Sequence, residues 1–68
     1  MCRNIRQLNN FDPAATEEEV QDAALQFVRK VSGYRQPSKR NVEAFERAVA
    51  DVSEATTRLL EAVGTAVA

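Results

Sequence analysis

Residues 42–63 read VEAFERAVADVSEATTRLLEAV, and this stretch decides the fold. Val42, Phe45, Val49, Val52, Leu59 and Val63 form one apolar series in it, with Thr56 as the polar member. Spacings of three and four alternate throughout, the 3.5-residue period of a helix that lays one stripe against a neighbour. On the opposite face Glu43 precedes Arg47 and Glu54 precedes Arg58, both in the favourable i, i+4 order. Gly64 supplies a stop, and Ser38, directly after Pro37, is a good N-cap. A helix is therefore predicted over residues 39–63.

Toward the N-terminus a second helix is predicted over residues 17–32. Thr16 and Glu19 match a capping box, in which hydroxyl and carboxylate satisfy free backbone N–H groups reciprocally. Glu17, Glu18 and Glu19 fill the first turn and Arg29 and Lys30 the last, each at the end of the macrodipole that favours it. Val20, Ala24, Phe27 and Val31 form the expected inward stripe, flanked by Ala23 and Val28, and Gly33 ends the helix. Leu25 lies off that stripe and is left to the N-terminal segment, another chain or solvent. Residues 1–15 read as an irregular segment. Ile5, Leu8 and Phe11 recur in it every three residues, interrupted by Asn9, Asn10 and Pro13, and are expected to cover one edge of the helices.

The fold class that follows is all-α: an antiparallel hairpin of unequal helices with a packed N-terminal segment, forming one domain over residues 1–68. At 1.5 Å per residue the helices would measure ~24 and ~38 Å. The longer one then overhangs its partner where Leu59, Leu60 and Val63 stand, so either the N-terminal segment or a second subunit must cover them. A chain of 68 residues, eleven of them Ala, has little apolar volume for a core. One Cys and no His rule out an internal disulfide and a structural zinc site. Homo-oligomerisation, with two hairpins pairing into a helical bundle, is the expected remedy.

Charge and composition narrow the function classes. No apolar run approaches the ~18 residues of a membrane span, and no secretory signal pattern opens the chain, so no membrane role is expected. A lone thiol suits a reducing compartment, and cytoplasm is the default. The net charge of −1 hides segregation: −5 over residues 12–22 against +5 over residues 29–40. Catalysis is not expected. The neighbouring carboxylates of Glu17–Glu19 point to different sides of a helix, no His serves as a base for Ser or Thr, and no glycine-rich phosphate loop exists. No cofactor or metal motif is present.

Two features carry the remaining candidates. Residues 29–40, RKVSGYRQPSKR, gather Arg29, Lys30, Arg35, Lys39 and Arg40 around Tyr34 with no acid among them. Arg29 and Lys30 have a structural role at a helix C-terminus, whereas Lys39 and Arg40 are expected in a first turn, where the macrodipole opposes them. The joint is thus a candidate anion or nucleic-acid site, with Tyr34 available for stacking. Sequence-specific DNA reading is disfavoured, because the second helix carries Glu43, Asp51 and Glu54 beside its Arg residues and its connection is longer than a helix-turn-helix turn. The other feature is Cys2, flanked by Arg3 and close to Arg6, a candidate reactive thiol set against the ordinary reading of a small hydrophobe.

The opening Met1-Cys2-Arg3-Asn4-Ile5 is distinctive. Together with Asn10-Phe11, Pro13, the Thr16 and Glu19 cap, Val28-Arg29-Lys30, Ser32-Gly33, Pro37-Ser38, Asn41, Ala44-Phe45 and Arg58-Leu59-Leu60, it resembles a family of short bacterial proteins known as a domain of unknown function. The resemblance covers nearly all of the chain before Gly64. It implies a bacterial source and a small helical protein, and it brings no activity, ligand or catalytic residue with it. The leading expectation is a non-enzymatic interaction or oligomerisation module that presents Phe45, Val52, Leu59, Leu60 and Val63 to itself or to another protein. Anion binding at the joint and a role for the Cys2 thiol are the alternatives.

Overall fold

The computed structural model describes Ile5, residues 7–9, residues 15–65 and Val67. Two helices make up its regular structure, α1 over Glu17–Ser32 and α2 over Val42–Ala62. They pack as a hairpin, with the Glu17 end of α1 beside Arg58 of α2 and the Leu25 turn beside Phe45.

Local chemistry sets most of the helix ends. Thr16 is extended (φ −96°, ψ 160°) and closes the capping box. The Glu19 N–H donates to its Oγ1 at 3.1 Å, and its own N–H donates to Glu19 Oε1 at 2.9 Å. Gly33 takes φ 78°, from which its N–H reaches the Arg29 carbonyl at 2.9 Å, a left-handed stop that a side chain would strain. At the far end of α2, Gly64 (φ 94°) donates to the Glu61 carbonyl at 3.1 Å and Thr65 to the Leu60 carbonyl at 2.8 Å. This 5→2 and 6→1 pair is a Schellman motif, so Gly64 ends its helix as the sequence predicts.

The start of α2 differs from the expectation. Ser38 is not the N-cap: its carbonyl accepts from the Asn41 N–H at 2.9 Å, which closes a turn, and Asn41 takes the cap position. The helix begins at Val42, three residues later than expected, and measures 21 residues or ~32 Å. Lys39 and Arg40 therefore stand in a turn ahead of the helix, and the conflict expected between their charge and the first turn is eased.

Burial is sparse. Leu8, Ala15, Val20 and Leu60 form one buried cluster, with Ala23 and Val67 packed against it and Ala24 and Val28 buried further along α1. The N-terminal segment thus does what its apolar residues predict, with Leu8 covering the C-terminal part of α2 and Ile5 half-buried. Thr65 Oγ1 donates to Asn9 Oδ1 at 2.8 Å and ties the chain after α2 to the same segment. Phe11 lies outside the described residues.

On α1 the buried row is Val20, Ala24 and Val28, not the predicted Val20, Ala24, Phe27 and Val31. A strict i, i+4 row runs oblique to the helix axis, and contact along it leaves Phe27 45% and Val31 70% exposed. The seam of α2 is only partly covered. Phe45, Val49, Val52 and Thr56 are half-buried, and Val42, Leu59 and Val63 are exposed. A pair of helices, 15 Å through its thinnest axis, leaves both flanks of each helix open to solvent.

Candidate functional site

Each flank of the hairpin carries a groove. The larger, of about 660 Å³, runs between Leu25 on α1 and Val42, Phe45 and Val49 on α2, with Pro37 and Gln36 closing the end near the joint. This is where Leu25 goes, a destination the single-stripe reading of α1 did not provide. The opposite groove, of about 340 Å³, is lined by Ile5 and Leu8 of the N-terminal segment, Phe27 on α1, and Val52, Thr56 and Leu59 on α2.

The predicted interface residues divide between these places. Phe45 belongs to the first groove and Val52 and Leu59 to the second. Leu59 and Val63 are 61% and 54% exposed. Leu60 is a correction: it is 5% exposed and belongs to the core with Leu8, Ala15 and Val20, so it is not a contact surface. One residue along a helix is a 100° rotation, which turns Leu60 inward while Leu59 points out. Phe27 was missed as a surface residue. Counting by four from Val20 selects Val28 for the core and releases Phe27 to the groove.

Ser53 lines the larger groove, and its buried Oγ has no hydrogen-bond partner. One turn further on, Thr56 Oγ1 donates back to the Val52 carbonyl at 2.6 Å. Thr56 thereby satisfies its own hydroxyl within the otherwise apolar seam.

The basic joint is ordered by its own side chains. Arg29 Nε–H donates to the Arg35 carbonyl at 3.0 Å, and the Tyr34 N–H donates to Ser32 Oγ at 3.1 Å. Arg29, Lys30, Tyr34 and Arg35 surround a surface depression of about 230 Å³ together with Gln26 and Gly33. Lys39 and Arg40 are exposed in the turn that leads to α2. Among the described residues the ion pair is Arg58 with Glu54, at 2.8 Å, and none of the five cations of the joint is in one. Cys2, with Arg3 and Arg6, lies outside the described residues. No group of three or more potential metal-binding side chains occurs among the described residues, and no helix there is long and apolar enough to cross a membrane.

A family model described as "Uncharacterized conserved protein (DUF2277)" matches residues 1–67, almost the full length. The chain belongs to the DUF2277 family. No curated protein and no solved structure was found to match it. Membership agrees with the resemblance to an uncharacterised family, and it assigns no reaction, ligand or partner.

Proposed function

We propose that this DUF2277 protein is a non-enzymatic interaction module that pairs with a second copy of itself through the face carrying Phe27, Val52, Leu59 and Val63. One observation carries the reading: large apolar side chains from both helices stay exposed along one flank, around an apolar-lined groove. Among the described residues the buried cluster beside it is small, and two of the six buried apolar residues there are Ala. A chain of this size, with one Cys and no His, gains stability by burying such a flank against another subunit. Along α2 the small Ala55 and Ala62 flank Leu59 at i−4 and i+3, and both are exposed, which favours close approach of a neighbouring helix. An isologous contact uses the same patch twice, so one exposed face is sufficient. The non-enzymatic part of the reading rests on the lack of His and on acids that diverge along α1. A reducing, cytoplasmic setting follows from the single thiol.

Sedimentation equilibrium at tens of micromolar tests the proposal. The wild-type chain is expected to sediment as a dimer. Leu59→Lys is expected to weaken association at least tenfold while leaving the helical circular dichroism unchanged. A wild-type chain that stays monomeric throughout, or a Leu59→Lys dimer of unchanged affinity, overturns it.

A further inference from the structure

The joint between α1 and α2 combines three properties that self-association does not use. Five cations lie within residues 29–40, and none is neutralised by an ion pair. Local hydrogen bonds tie the backbone of residues 33–35 to the end of α1: Arg29 Nε–H donates to the Arg35 carbonyl, the Tyr34 N–H to Ser32 Oγ and the Gly33 N–H to the Arg29 carbonyl. Finally, Tyr34 is 48% exposed beside the depression that Arg29, Lys30 and Arg35 line. Cations outside any ion pair, clustered near an exposed ring, suit a ligand with phosphates and a planar base.

We propose that this joint binds single-stranded nucleic acid, with Lys30, Arg35, Lys39 and Arg40 meeting phosphates and Tyr34 stacking on a base. The depression, about 230 Å³, is smaller than the clefts that enclose whole metabolites, which fits a chain lying across the surface. A duplex fits less well. Glu43 and Glu46 stand exposed in the first turns of α2 beside the joint and would repel the phosphates of a second strand. A membrane surface also fits less well, since Val31 and Tyr34 are the exposed large apolar side chains among residues 29–40, too little to anchor in lipid.

Fluorescence anisotropy with a short labelled oligouridylate tests the proposal on the full chain, whatever its oligomeric state. Contacts to about four phosphates predict a loss of affinity of roughly fiftyfold between 50 and 200 mM salt. Lys30→Glu with Arg35→Glu should abolish binding at the lower salt, while Lys30→Arg should retain it. Tyr34→Ala should weaken the oligonucleotide about tenfold and leave inorganic polyphosphate unaffected, since only the base stacks. Circular dichroism checks that each variant is folded, and Lys39→Glu with Arg40→Glu, in the turn outside both helices, provides a second charge-reversed variant. No binding at 50 mM salt, binding indifferent to both charge reversals, or equal affinity for duplex DNA or phosphatidylserine vesicles without dependence on Tyr34 overturns it.

Discussion

Ser53 sits where α2 faces α1, its hydroxyl oxygen shielded from solvent and without a partner. A hydroxyl taken out of water without a new hydrogen bond loses solvation that nothing replaces. Ala would fill nearly the same volume and has the higher helix propensity. Ser53→Ala is therefore expected to stabilise the protein by about 0.5–1.5 kcal/mol, a rise in Tm of several degrees for a chain of this length. A thermal melt that shifts downward would mean the hydroxyl is hydrogen-bonded in solution. Thr56, one turn away, makes the contrast, because its hydroxyl is bonded to the Val52 carbonyl and its replacement brings no such relief. The sequence distinguished neither case. Both are short polar residues among apolar ones, and their difference depends on which backbone oxygen lies in reach.

For the two helices, legibility in the sequence follows the range of the interaction. The capping box at Thr16 and the left-handed stops at Gly33 and Gly64 depend on residues at most a few positions apart, and all three stand where the pattern predicts. The start of α2 departs from the pattern: a turn closed by the Asn41 N–H on the Ser38 carbonyl delays the helix to Val42, and Asn41 occupies the cap position without a side-chain capping bond. Burial was least legible, since it depends on the line along which the helices cross. Leu59 and Leu60 are indistinguishable by type and are neighbours, yet one is 61% and the other 5% exposed. Truncation separates them: Leu60→Ala should cost about 2–4 kcal/mol, through lost burial and the cavity left beside Leu8 and Val20. Leu59→Ala should change the stability of the dilute chain by less than about 0.5 kcal/mol. Urea denaturation at low protein concentration measures both, and equal losses would contradict the assigned burial. As for the candidate site, the cations and Tyr34 of the joint were readable directly. The bond from Arg29 to the Arg35 carbonyl was not, because it joins a helix side chain to a loop backbone.

Over the whole molecule, shape and charge point to separate uses of separate surfaces. The chain extends 38 × 22 × 15 Å, and among the described residues six apolar side chains are buried. The acids of the first turn of α1 and the cations of the joint stand at opposite ends of a helix ~24 Å long, beyond a Debye length of about 8 Å at physiological salt. Neither end therefore cancels the other, and the flank between them carries Phe27 and Leu59. If that flank is closed by a second copy, folding and association are coupled, and stability depends on protein concentration. For a coupled dimer, a tenfold increase in concentration adds about 1.4 kcal/mol, shared over the unfolding of two chains. With unfolding entropies near 2.1 cal/mol/K per residue, this raises Tm by about 5 °C. A melting series from 5 to 500 µM, roughly two decades, should then move by about 10 °C for the wild type. Leu59→Lys should melt at nearly the same temperature throughout, because a lysine on that flank prevents the pairing while leaving the Leu60 core intact. A wild-type Tm independent of concentration would mean that the small core suffices alone, and that the exposed flank contributes nothing to the stability of the fold.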